Sequence, residues 1–173
     1  VILEILTYLF RLIVIVILQL LVVNNIELSS LVNPYIYVAF ILLLPISMKP
    51  WMVVVISFLT GAIIDAFSST PGLHIAAANL MGYLRYFYLA AATTKEDQIG
   101  NIVPSISQKG IVWFNFYAFA LIFVHHFALF FLEIYTFREF FSTLLRIILS
   151  TFVSLLLINI GQLLFYNVGK SNE

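Results

Sequence analysis

Long apolar runs dominate this chain and determine the solvent in which it can fold. From Leu6 to Val23 the side chains are almost all aliphatic or aromatic, interrupted chiefly by Arg11 and Gln19. A run of about 18 apolar residues or more is long enough to cross the hydrocarbon core of a bilayer as a helix. Of the 173 residues 63% are hydrophobic and 9% charged, with a mean hydropathy of +1.11, against roughly 25% charged residues in an ordinary soluble domain. Such a chain cannot cover itself in water. At about 20 residues per crossing, its length allows six crossings with short connections and no second domain. The expectation is therefore an all-α, polytopic membrane bundle of about six transmembrane helices in a single domain, residues 1–173. Leu6–Val23 leads into Asn24, Asn25 and Glu27 rather than a small-residue cleavage site, so it reads as a retained first helix and not a signal peptide.

The predicted helices lie at about 5–23, 35–47, 51–65, 73–91, 111–132 and 142–166. The second and third meet at Met48-Lys49-Pro50, where proline lacks the donor needed to continue a helix and restricts the residue before it. Both are shorter than the usual span, which local membrane thinning or burial within the bundle would accommodate. Ser68-Ser69-Thr70-Pro71-Gly72 breaks the chain before the fourth helix, and Thr93–Gly110 is the longest polar stretch. With six crossings and the N-terminus inside, Lys49, Lys95, Lys109 and Lys170 fall on one side against Arg138 on the other. The positive-inside rule then predicts that both termini are cytoplasmic. Tyr83, Tyr86 and Tyr88 around Arg85 fit an aromatic belt at the inner interface. No repeat of the kind that builds inverted-repeat transporters is visible.

Several chemistries have no footing. There are no cysteines, which removes disulfides, thiolate metal sites and cysteine nucleophiles. The formal net charge is zero and no basic cluster occurs, so nucleic-acid binding is not expected. His125 and His126 are adjacent, about 100° apart around a helix, and lack the further ligands of a zinc site. The expectation is no metal, no cofactor and no enzymatic activity, with one of these histidines a buried hydrogen-bonding group. A Ser/His/Asp arrangement of His74 with Ser68 or Ser69 and Asp65 lacks a nucleophile elbow.

Ionisable groups within apolar runs each need a reason to be there. Asp65 ends the third helix four residues after Gly61, so the two share a face and the small residue permits close approach of another helix. Asp65 reads either as an interfacial carboxylate, in water or accepting from the backbone N–H groups of the following loop, or as a buried contact holding the loop or a partner chain. Arg85, about a dozen residues into the fourth helix, is too far from Asp65 to pair with it. It reads as snorkelling to inner-leaflet phosphates, with Glu4 an alternative partner for it or for Arg11. Arg11 and Gln19, eight residues apart, share nearly one face, expected to turn toward protein.

Pro45 near the end of a short helix, the turn Met48-Lys49-Pro50-Trp51, the segment Phe58-Leu59-Thr60-Gly61-Ala62-Ile63-Ile64-Asp65-Ala66-Phe67, the loop Ser68–Gly72, Leu73-His74 and Tyr83-Leu84-Arg85 form one pattern. It resembles the rod shape-determining protein MreD family of bacteria over about residues 33–88, with helix count, length and the hydrophilic middle loop in agreement. Many family members have another residue where this chain has Pro71, and its aromatic content is high. The resemblance implies a non-catalytic scaffold subunit of the cell-elongation machinery in the bacterial inner membrane. Its partner would be an MreC-type bitopic protein, linking MreB filaments to the RodA glycosyltransferase and a class B penicillin-binding protein in peptidoglycan synthesis. It also marks Pro45, Gly61, Asp65, Gly72 and Arg85 as structural or partner-contact positions, none catalytic. The family is similar in size and layout to the substrate-binding subunits of energy-coupling-factor vitamin transporters, and that likeness supplies the alternative. A transporter subunit would need a pocket with convergent polar groups, for which Asn79, Asp65, His74 and Arg85 are the candidates.

Overall fold

The computed structural model describes residues 2–25, 31–135 and 139–170. Among them the fold is all-helical. Helix α1 (Ile2–Ile17) continues through a π-helical turn, Leu18–Val22, and a short 3-10 turn, Val23–Asn25. A short α2 (Val38–Leu42) follows, then α3 (Pro50–Ser68), α4 (Leu73–Ala92), the small surface helices α5 (Lys95–Ile99) and α6 (Ile106–Lys109), α7 (Ile111–Ile134) and α8 (Phe140–Lys170). Four segments among the described residues are long and apolar enough to cross a membrane: Leu6–Asn25, Pro50–Ser68, Ile111–Ile134 and Phe140–Leu164. Helix α4 is as long, at 20 residues, but His74, Asn79 and Arg85 lower its hydropathy and it is not among them.

Helices α3 and α4 form a tight hairpin and α7 packs against α4, with α8 against α7. Two close approaches set the hairpin. A Cβ on Gly61 would stand 2.7 Å from the His74 carbonyl oxygen and from the Ile75 Cα, so only glycine lets the start of α4 lie this near α3. One turn of the hairpin away, Gly82 packs on the Ser57 side chain. Gly72, with φ +89°, adopts the left-handed conformation that L side chains disfavour, and it lets the chain reverse into α4.

Residues 35–47, expected as a second membrane helix, contain only the five residues of α2. The rest of this segment is turns, a bend and irregular chain, most of it in the interior. Tyr37, Val38, Ile41 and Leu42 are fully buried, with Leu44 1% exposed. Non-helical backbone at membrane depth is tolerated where protein surrounds it and supplies its hydrogen bonds. A uniformly apolar run carries no periodicity by which a buried helix differs from a buried irregular strand of chain. The third helix is also longer than expected, since Pro50 serves as its first residue and it continues to Ser68. Its 19 residues remove the need for membrane thinning there.

Candidate functional site

The irregular segment is held by side chains that converge on it from four helices. Gln19, fully buried on the π-helical turn of α1, accepts from the Ile36 and Tyr37 N–H groups at 2.6 and 3.3 Å and donates to the Pro34 carbonyl at 3.3 Å. From α8, the Ser150 and Ser154 hydroxyls accept from the Asn33 and Tyr35 N–H groups, both at 2.9 Å. Tyr117 of α7 donates to the Leu42 carbonyl at 2.9 Å. Arg85 of α4 donates through Nη2 to the carbonyls of Leu44 and Pro45, and through Nε to the Tyr117 hydroxyl at 2.8 Å. Beyond Pro45, the Ile46 N–H donates to the Ile102 carbonyl at 2.8 Å. Each of these polar groups replaces a helical hydrogen bond that the segment forgoes.

Arg85 is thus 2% exposed and embedded in protein, not extended along the membrane surface as expected. Its carbonyl acceptors lie on the irregular segment, whose existence no local pattern announces. Gln19 faces the protein as expected, but Arg11 is exposed, with its guanidinium 5.9 Å from the Tyr8 ring centroid. Eight residues leave the two side chains about 80° apart around a helix of 3.6 residues per turn, enough for one to face the protein and the other to face outward. The Glu4 side chain, Glu27 and Arg138, and the Lys170 side chain, all used in the sequence reading, lie outside the described residues.

Asp65 is 5% exposed and caps the start of α4 from the preceding helix. It accepts from the Gly72, His74 and Ile75 N–H groups and from the Thr70 hydroxyl, each at 3.0 Å. Three otherwise unpaired donors of a helix N-terminus are satisfied, and the carboxylate charge opposes the positive end of the helix dipole. This is the loop-holding arrangement foreseen for Asp65. The shared Gly61–Asp65 face is filled by α4 of the same chain.

Asp65 meets the backbone of His74, whose ring turns inward instead. The Tyr37 hydroxyl lies 3.1 Å from His74 Nδ1 and 2.5 Å from His125 Nε2. A hydroxyl donates one hydrogen and accepts another, so it links the two rings. Buried His125 Nδ1 has no partner among the described residues, and an unmet acceptor is better tolerated than an unmet N–H. The favoured assignment has His125 Nε2–H donating to Tyr37, and Tyr37 donating to His74 Nδ1. His126 donates from Nδ1 to the Ile122 carbonyl at 2.8 Å, with its Nε2 3.4 Å from the Ser154 hydroxyl. Tyr35 packs edge-on against His74 and His125, with ring centroids 5.0 and 6.0 Å away. Both adjacent histidines are therefore buried hydrogen-bonding groups, and no triad of Ser, His and Asp forms. Among the described residues no three His, Asp or Glu side chains gather as a metal site.

Arg146, passed over in the sequence, lies 4.0 Å above the Phe130 ring and 2.9 Å from Glu133. The Asn33 amide, turned with its oxygen toward Arg146, accepts from Nε and Nη2 at 2.9 and 3.0 Å. A basic residue a few positions into α8, facing an acid near the end of α7, was the available signal. Two clefts flank the irregular segment. One, about 350 Å³, includes Asn24, Asn33, Tyr35, Thr70 and His74 in its lining; the other, about 270 Å³ and next to Lys49, includes Arg85, Tyr86 and Gln98. His74 and Arg85 thus line different clefts, while Asp65 and Asn79 line neither. No protein-family model, curated protein or solved structure matches this chain.

Proposed function

We propose that the chain is a non-catalytic membrane scaffold of the MreD type, in the bacterial inner membrane, that docks the single transmembrane helix of an MreC-type partner. Through that partner it would connect MreB, RodA and a class B penicillin-binding protein. The observation that supports this most is the outer face of α1 and its π-helical extension. Leu3, Leu6, Phe10, Ile13, Ile17 and Leu21 are 49–79% exposed and recur at three- and four-residue spacing, the seam against which a second helix packs. The buried polar groups also serve the chain's own backbone, as a rigid platform for such docking requires. In this reading α4 and the irregular segment complete six crossings. The end of the bundle carrying Lys49, Lys95 and Lys109 faces the cytoplasm together with both termini.

Co-purification of the partner from native membranes tests the proposal. Leu6→Trp combined with Ile13→Trp should abolish it while insertion persists, whereas Phe116→Ala, at a 71% exposed position of α7, should not. Retention by the α1 variant would overturn the docking face, and a C-terminal reporter active only outside the cytoplasm would overturn the topology.

The 350 Å³ cleft supports a second reading, a substrate-binding subunit of an energy-coupling-factor-type vitamin transporter. Its volume is within the range of small-molecule sites, and Tyr35, His74 and Asn33 give it aromatic and polar walls. Direct vitamin binding by the purified protein, weakened by Tyr35→Ala, would favour that reading over the scaffold.

A further inference from the structure

We propose that the 270 Å³ cleft beside Lys49 binds the phosphate group of an anionic lipid. Arg85 lines this cleft. Its described partners are neutral: the Tyr117 hydroxyl and the Leu44 and Pro45 carbonyls. Nη1 has no acceptor among the described residues, and none of their carboxylates forms an ion pair with the guanidinium. Asp97 pairs with Lys109 and Glu133 with Arg146, while Asp65 is engaged at the far end of α4. A nearly buried cation that meets only neutral acceptors carries a desolvation cost that an anion would offset.

The cleft is built for that anion. Lys49 stands on its wall, and it opens on the first turn of the 19-residue α3, the positive end of a helix dipole. Its volume is below the roughly 300 Å³ at which drug-sized sites begin, which suits a headgroup more than a whole solute. Tyr86 on the cleft wall, and Trp51 and Phe87, each next in sequence to a lining residue, are 50–63% exposed. Such an aromatic rim sits at headgroup level in a bilayer and leaves acyl chains on the apolar flank outside. The inference rests on membrane placement and on no particular partner.

Native mass spectrometry of the full chain in neutral detergent tests it, with dioleoylphosphatidic acid and phosphatidylglycerol compared with phosphatidylcholine. The anionic lipids should bind preferentially, and Lys49→Ala should weaken them roughly fivefold, the effect of removing one basic residue near a lipid surface. Ser47 is exposed on the cleft wall, so Ser47→Asp would supply an internal carboxylate. It should weaken anionic lipid more than about tenfold, two favourable contacts being lost and one repulsion gained, without lowering the thermal midpoint; Ser47→Asn should not. Equal retention of phosphatidylcholine, or undiminished anionic-lipid binding by Ser47→Asp, would overturn the site. Displacement of the lipid by millimolar inorganic phosphate would overturn the lipid as the source of the phosphate group.

Discussion

Replacing Asp65 by alanine removes the group that holds the α3–α4 turn closed, and its cost can be worked from the four bonds it accepts. Each is 3.0 Å long. A hydrogen bond to a charged acceptor contributes about 1.5–3 kcal/mol, but three of the donors belong to one helix terminus and their contributions overlap. Leaving these donors unpaired at a 5% exposed site sets the total at about 4 kcal/mol, within the range for breaking a buried charged contact. At about 2–4 °C per kcal/mol for a chain of this size, Asp65→Ala should lower the thermal midpoint in detergent by roughly 8–16 °C. Asp65→Asn keeps one acceptor oxygen and one pair of bonds, so it should cost about half as much, about 2 kcal/mol. Thermal unfolding followed by tryptophan fluorescence and far-ultraviolet circular dichroism reads both. A loss below about 1 kcal/mol for Asp65→Ala, the level of an ordinary surface substitution, would refute the cap.

Gly61→Ala should destabilise by about 1–3 kcal/mol, because its Cβ would press on the α4 backbone. Gly161→Ala, in open space on α8, should be neutral or gain up to about 1 kcal/mol; the same unfolding assay ranks them. Gln19→Leu should cost about 2–4 kcal/mol by orphaning the Ile36 and Tyr37 N–H groups, against under about 0.5 for exposed Arg11→Leu; equal effects would show that Gln19 does not clamp the irregular segment. In the polar connection, the Lys109 ammonium, aided by the Thr94 N–H, holds the Asp97 carboxyl below its ordinary 3.8. A depressed carboxyl stabilises above its unfolded pKa and loses that contribution as pH falls through the folded one. Protection against hydrogen exchange in residues 94–99, taken relative to the intrinsic rate at each pH, should therefore fall below about pH 4 in wild type, while Asp97→Asn should show lower protection at neutral pH and lack the acid transition.

Much of this architecture is legible without coordinates, because apolar length and backbone chemistry act on each segment separately. An apolar run such as Leu6–Val23 must be a helix wherever lipid surrounds it, since lipid offers its backbone no partner. The breaks at Lys49-Pro50 and Pro71-Gly72 follow from local backbone chemistry, and the Asp65 cap acts within ten residues of its own chain. The irregular segment at 33–47 was not legible, since apolar composition reports burial and leaves conformation open. Its hydrogen bonds come from Gln19, Arg85, Tyr117, Ser150 and Ser154, up to 119 positions away. The roles of Arg85 and the histidines depended on that segment, so they too became visible only in the assembled bundle. Local sequence determined where helices start, stop and are apolar enough to cross a membrane; tertiary structure alone decided which polar side chains would supply the bonds missing from a helix that does not form.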